Sequence, residues 1–329
     1  MANRRHFLNL STGAAAALLS PNTALSRSNT LPKHTRCARA LGTDVKLTVL
    51  HDDPNVANKA IDAALQKIEQ VEQLMSLYRP DSELNQLNRK GVLRNPHSDL
   101  VEVLNRSIEL SRLTEGAFDI TVQPLWNLYS DHSSKGALPS DAEIERVQKR
   151  LGWQHIRIEQ DLIYFDRAGM QLTLNGVAQG LAADMAECAL KENGIEHALI
   201  DAGELNAFGN SGRRDQWNIA VKHPRERGEI AKTGLENRCL STSGDYASRF
   251  SEDFRHHHLI DPRSGRSPVE WSSVTVAAPT ALEADALSTA LFILGPDEAT
   301  KIVESMEKVD ALFVSKSGDV TVTEGFNLI

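Results

Sequence analysis

The sequence predicts an α+β fold, with mixed sheets and packed helices, on three observations. Segments that alternate like strands and segments with apolar residues at helical spacing share one chain. They do not follow one another in the strand-helix rhythm that a parallel sheet needs. With 329 residues, 41% of them apolar, the chain can bury a large core in one big domain or two intertwined ones.

In chain order, residues 45–50 (VKLTVL) alternate as a strand. Residues 55–78 follow as a helix with Ala60, Ala64, Ile68, Val71 and Met75 on one face. Residues 79–91 (RPDSELNQLNRKG) read as a polar loop carrying its own cap signals. A second helix over 99–116 ends on Gly116. Further strands fit 155–166, 170–175, 197–203, 217–223, 272–278 and 311–323, and further helices fit 177–194, 280–295 and 296–308. No low-complexity segment or short repeat interrupts them.

A formal charge of −8 argues against nonspecific nucleic-acid binding, which needs a basic face. An anionic ligand would need a cation or a helix N-terminus to receive it. The first residues read as an export signal: Arg4-Arg5 in RRHFLNL, the apolar run 13–19, then ALS at 24–26 as a small-residue cleavage site. That run is too short to anchor in a bilayer, and adjacent arginines point to a twin-arginine signal and a periplasmic destination. The expected organisation is a signal at 1–26, a linker at 27–39 and one domain at 40–329. Cys37, Cys188 and Cys239 form neither a zinc pattern nor a disulfide framework.

Candidate chemistry sits in four places. Asp285 and Thr289 are four apart on a predicted helix, so a carboxylate and a hydroxyl share one face. Both are hard oxygen donors suited to magnesium or calcium, though many solvated helix edges show the same pair. In LNGVAQGLAAD (174–184), Gly176 and Gly180 lie between a strand and a helix, where backbone can approach a phosphate or its metal. This is not the dinucleotide-fold G-x-G-x-x-G spacing. STSGDYAS (241–248) reads as a second small-residue turn exposing Ser243 and Gly244. HHHLIDPRSG (256–265) places three of eleven histidines side by side before a proline-glycine turn.

In order, the blocks ALGTDVKLTV, LMSLYRPDSELNQLN, GAFDITVQPL, LNGVAQGLAADM, DAGELNAFG, STSGDYASRF, HHHLIDPRSGRSP and SVTVAAPTALEADALSTALFILG resemble the ApbE-like flavin transferases, the FAD:protein FMN transferases. The resemblance runs from about Ala40 to the end of the chain. It implies an ApbE-like, T-fold-like architecture and a Mg²⁺-dependent enzyme that splits FAD, releases AMP and joins FMN to a threonine or serine of an acceptor protein. It places magnesium on Asp285 and Thr289, with Ser288 beside them and the Gly176 carbonyl completing the shell. FAD contacts fall on Leu41, Tyr78, Ala117, Phe118, Asp119, Thr173, Gln179 and Ile260, with Tyr78 offering an aromatic surface and a hydroxyl. His258 falls at the catalytic centre, where imidazole can take the proton of the acceptor hydroxyl.

His256 and His257 alternate along an expected extended strand and carry no catalytic role in this reading. Asp261 either orients His258 or caps the following turn. The chain departs from the family pattern at Leu41 (methionine is usual), Thr173 (aspartate), Gln179 (lysine or glutamate) and Ala202 (glycine). The implied acceptor is a flavoprotein domain of a membrane electron-transfer complex, such as one of sodium pumping or nitrous-oxide respiration. Since the same metal and phosphate contacts serve water as nucleophile, an FAD pyrophosphatase stays open. So does a non-catalytic periplasmic FAD-binding protein.

Overall fold

Leu41 and Gly42 both take positive φ, 52° and 74°, the geometry of a two-residue hairpin turn whose twist matches its strands. They join β1 (Lys33–Ala40) to β2 (Thr43–Leu50), paired from Lys33↔Leu50 to Ala40↔Thr43. The computed structural model describes residues 31–212 and 216–329, so the signal expected at 1–26 and the start of the expected linker lie outside the described residues. The rest of that linker is not one: from Lys33 it is strand β1. As an edge strand, β1 gains its order from the ladder to β2 and from Arg36, which bonds Asp62 and Asn58, so it needs no strong apolar alternation.

Helix α1 (Pro54–Met75) starts on the Asp53 cap with proline at its first position and buries the expected face. The expected polar loop contains α2 (Glu83–Lys90), which Ser82 caps at the Asn85 amide and Gly91 ends at φ 69°. Only Leu84 and Leu87 are buried along it, too few apolar residues to show a period. There follow β3 (Val92–Arg94), α3 (Ser98–Leu113), a 3-10 turn at Ile120–Val122, α4 (Gln123–Ser133) and α5 (Asp141–Gln148). The expected strand at 155–166 is a hairpin, β4 (Ile156–Glu159) and β5 (Leu162–Phe165), in a small sheet ordered β3-β5-β4.

Residues 170–175 form no strand. The Asn88 side chain stands in for a neighbouring strand, donating to the Leu172 carbonyl (2.8 Å) and accepting from the Leu172 amide (2.7 Å). Beyond it come α6 (Ala178–Glu192), β6 (Ala198–Asp201), β7 (Leu205–Phe208), β8 (Trp217–Lys222), β9 (Glu229–Leu235), β10 (Arg238–Gly244), β11 (Trp271–Ala278), α7 (Ala281–Leu294), α8 (Pro296–Ser305), β12 (Asp310–Ser315) and β13 (Val320–Val322). Residues 241–244, expected as a turn, are the end of β10, paired with β11 from Ser241↔Val276 to Gly244↔Ser273.

The main sheet is antiparallel in the order β1-β2-β6-β7-β10-β11-β12-β13. One face carries α1, α6 and α7 over the principal core. Against the other packs the β8–β9 hairpin, through Trp217, Ile219, Val221 and Leu235. With both faces covered, β11 is buried at every position, and most of α7 below it is buried. A third, smaller cluster joins α4 and α5 to the loop after β10 through Leu125, Tyr129, Ile144, Val147, Leu151 and Ile260. No helix among the described residues is long and apolar enough to cross a membrane.

Candidate active site

Thr280 caps α7 by accepting from the Glu283 amide (3.2 Å), and one turn on, Asp285 and Thr289 face the same cavity of about 250 Å³. Asp285 Oδ2 accepts from the Gly180 amide at 3.1 Å. Burial pushes the Asp285 carboxyl up to about 7. Thr289 Oγ1 lies 3.1 Å from Ser243 Oγ on β10. A methyl group on Gly176 would stand 3.3 Å from Thr289 Oγ1, so the turn before α6 is pressed against that hydroxyl and glycine keeps the contact open. Sequence-predicted Gly176, Asp285 and Thr289 are therefore together.

Ser288 is not with them. On a helix it points about 100° away from Thr289. Its hydroxyl donates to the Asp285 carbonyl (2.9 Å) and meets Ser241 (3.1 Å) and Ser243 (2.8 Å), so it ties α7 to β10 in the interior and does not line the cavity.

Ala117, Phe118, Asp119, Thr173, Gln179 and Ile260 all line the cavity, as expected. The Asp119 carboxylate is already engaged by the Thr121 amide (2.8 Å), the Thr121 hydroxyl (2.7 Å) and the Trp153 amide (3.2 Å), so it shapes the wall. Tyr78 is 77% exposed and borders a second cavity of about 280 Å³ that shares Gln123, Trp126 and Asn175 with the first. Leu41 occupies the β1–β2 turn and lines neither cavity. A larger space of about 550 Å³ opens between α3, α6 and the start of α7, and holds none of the predicted site residues.

The three histidines point three ways, because their segment is a loop with a single bridge, Arg249↔His257, and not the expected strand. The His256 ring stacks on Tyr129 with centroids 6.3 Å apart. His257 is fully buried, its Nε2 donating to the Pro268 carbonyl (3.0 Å) and its ring edge-on to Phe292. Burial drives its pKa down to about 4, so it is neutral. His258 lines the cavity, with Nδ1 3.0 Å from the Ser248 carbonyl. A carbonyl only accepts, so Nδ1 carries the proton and Nε2 keeps a free lone pair. Burial lowers its pKa, which keeps that lone pair available at neutral pH. Asp261 takes the turn role, accepting from the Arg263 amide and Nε (both 2.9 Å) and making no bond to His258.

Sequence reasoning missed Glu204. It lines the cavity, is 8% exposed, and has its pKa raised by burial and by the charge of Asp285. The available signal was an acid between a glycine turn and the short, mostly apolar strand β7. The cavity thus holds Asp119, Glu204 and Asp285, and no lysine or arginine lines it among the described residues. Nor do those residues contain a cluster of three or more His, Cys, Asp or Glu around one point. A cation would be held by carboxylate, hydroxyl and backbone oxygens, the donor set of a hard ion such as Mg²⁺.

Fold and site together point to an enzyme of the group-transfer class, with one cavity lined by oxygen donors, small turns and an imidazole that keeps a free lone pair. Within that class the chain belongs to the ApbE family, whose sequence model matches residues 41–313. It is 34% identical over 262 residues to the FAD:protein FMN transferase of Escherichia coli K12, covering 75% of this chain and 74% of that protein. The FAD:protein FMN transferase of Haemophilus influenzae is 32% identical over 266 residues, covering 74% of this chain and 77% of that protein. The crystal structure of the ApbE protein of Thermotoga maritima superimposes with a TM-score of 0.81 at 26% identity, covering 89% of this chain and 97% of that one. The apo flavinyl transferase ApbE of Pseudomonas stutzeri gives a TM-score of 0.79 at 28% identity, covering 90% and 96%.

Proposed function

We propose that this chain is a Mg²⁺-dependent FAD:protein FMN transferase, exported by a twin-arginine signal in residues 1–26 to act in the periplasm. One observation carries the reading: an acid-lined cavity without lysine or arginine, in which Asp285, Thr289 and Gly176 stand together in a space that His258 also lines. Burial holds Glu204 and Asp285 toward their protonated forms, and a divalent cation would let them ionise beside it and offset the charge of a pyrophosphate, so the site suits a phosphate together with such an ion. Asp285, Thr289 and the Gly176 carbonyl would hold the ion, which would supply neutralisation of charge on the pyrophosphate oxygens. The linked second cavity, bordered by Tyr78 and Trp126, gives a two-part ligand such as FAD room for its other half.

In this reading His258 Nε2 takes the proton of an acceptor threonine or serine hydroxyl as its oxygen bonds to the FMN phosphorus. The bond from that phosphorus to the bridging oxygen breaks, and AMP leaves with the oxygen. The Ser248 carbonyl fixes the tautomer that makes Nε2 the base. Phe118 and Ile260 supply apolar walls that exclude water from the reacting atoms. The acceptor is a flavoprotein domain of a membrane electron-transfer complex.

The test is to incubate the protein with FAD, Mg²⁺ and an acceptor domain carrying its target threonine, and to weigh the acceptor. A mass gain equal to covalent FMN, abolished by EDTA and by His258→Ala, supports the proposal. AMP and free FMN beside an unmodified acceptor would replace it with hydrolysis, and retained FAD with no AMP would make the protein a binder.

A further inference from the structure

Helices α6 and α7 exchange carboxylates. From α6, Asp184 Oδ1 accepts from the Ala281 amide (2.7 Å) and Oδ2 from the Leu282 amide (3.0 Å), the first two amides of α7. From α7, Asp285 Oδ2 accepts from the Gly180 amide of α6 (3.1 Å). Each pair lies one turn from the other, 180 to 184 along α6 and 281 to 285 along α7, so the two helices run antiparallel and are tied at both places. They also touch: a methyl group on Gly180 would lie 2.3 Å from the Ala281 carbonyl oxygen. Asn206 Nδ2 donates to Asp184 Oδ1 at 3.2 Å and holds the carboxylate in place.

These bonds join the two halves of the cation wall. Gly176 and Gln179 lie at the entry to α6, while Asp285 and Thr289 lie on α7. Sliding α7 along α6 by a fraction of a turn would separate the Thr289 hydroxyl from Gly176. The Thr280 cap holds only α7's own first turn, whereas Asp184 holds that turn to the neighbouring helix.

We propose that Asp184 is a positioning residue for the cation wall: by holding the first amides of α7 against α6, it sets Asp285 and Thr289 at the height where they meet Gly176. The inference rests on reading the cavity as a Mg²⁺ site, and its test separates the two. Mg²⁺ affinity is measured by calorimetry on the wild type, Asp184→Asn, Asn206→Ser and Thr280→Ala, with FAD affinity in EDTA and melting temperature alongside. Asp184→Asn retains one acceptor and sets an amide N–H against a backbone N–H. Its Mg²⁺ Kd is expected to rise by roughly 10-fold, the usual scale for losing a group that orients a metal ligand. FAD affinity in EDTA is expected to stay within about twofold, and kcat to recover at saturating Mg²⁺.

Asn206→Ser removes only a bond to the Asp184 carboxylate and one to Glu187, so it gives a smaller rise even where Asp184 variants fold poorly. Thr280→Ala lowers the melting temperature through the helix cap and leaves Mg²⁺ Kd alone. Unchanged Mg²⁺ Kd in folded Asp184→Asn overturns the inference, as does an equal rise in Thr280→Ala, since either outcome makes Asp184 an ordinary helix cap. A wild type that takes up no Mg²⁺ overturns the cation site itself, and the inference with it.

Discussion

The two sides of the cavity are built by different means. The wall proposed to hold the cation stands on α6, α7 and β10, regular elements inside the main core, and its hydroxyls cross-link helix to strand. The histidine side is the irregular stretch around residues 248–266, between β10 and β11, which rests on the small α4–α5 cluster. Its order comes from individual bonds: Ser248 to His258, Ser267 to both backbone groups of His257, and Tyr129 to Gly265. A hard cation needs several oxygens fixed at once, which regular structure provides. In the proposed reaction the base must meet a hydroxyl from another protein and needs an approach from solvent, which a loop provides.

The largest expected effect comes from breaking the rigid side. Asp285→Asn should lower FMN transfer by roughly 10³-fold, the upper range for removing one preorganised charge-stabilising group. The same change should stabilise the metal-free protein. The Asp285 carboxyl is raised from its ordinary 3.8 to about 7, so the folded state favours its protonated form. That stability is fully present below 3.8 and is lost as pH rises through about 7. In EDTA the wild-type melting temperature, taken relative to Asp285→Asn, should therefore fall between pH 4 and pH 7, and the fall should shrink on adding Mg²⁺. A flat wild-type profile in EDTA would remove this account of the wall.

On the loop side, His258→Ala should cost about 10²- to 10⁴-fold in transfer, the range for one general base, with Mg²⁺ affinity unchanged. Thermal shift with Mg²⁺ alone distinguishes the sides: a loss of Mg²⁺ response in His258→Ala would show that they are not separate.

His257 gives the next effect, on stability. Its pKa falls from 6.5 to about 4 on burial, so folding requires the neutral ring. Stability from this group is present above pH 6.5 and is lost as pH falls through about 4. The whole window is worth about 3 kcal/mol at 1.36 kcal/mol per pH unit. Denaturant unfolding from pH 7 to pH 4 should show the loss, and His257→Gln should flatten that acid limb.

Legibility in the sequence follows the same division. The periodic helices α1 and α3 were readable because packing rewards a period that their residues display, whereas α7 and the buried strands were readable as apolar runs of helix or strand length. Asp285 and Thr289 were readable as a pair because four residues of helix place them together whatever surrounds the helix. Other features depend on a distant partner. β1 is a strand because β2 lies beside it, and 170–175 is not one because Asn88 reaches it from 84 residues away. Glu204 joins the site only because the fold sets it near Asp285. Neighbours in sequence can also mislead: Ser288 sits next to Thr289 and points elsewhere. Among the three histidines, spacing could not select His258, and the order of family blocks did; the structure then puts that ring alone of the three on the cavity.

The smallest effect tests how firmly the loop holds its base. Tyr129 is 1% exposed, and its hydroxyl donates to the Gly265 carbonyl at 2.9 Å, across 136 residues of chain. Its ring stacks on Phe250 at 5.4 Å and on His256 at 6.3 Å, so both ends of the loop bear on one side chain. Tyr129→Phe keeps both stacks and deletes only the hydroxyl, leaving one buried carbonyl without its donor. The expected cost is about 1 kcal/mol of stability. A regular element would absorb that loss with little change at the site, since its backbone bonds remain. A loop ordered by single bonds should instead let His258 wander, so transfer should fall roughly 3- to 10-fold through kcat, a 1 kcal/mol scale of misplacement, with Mg²⁺ Kd unaltered. If kcat holds while stability drops, the Ser248 and Ser267 bonds suffice to fix the imidazole, and the histidine side is as rigid as the cation wall.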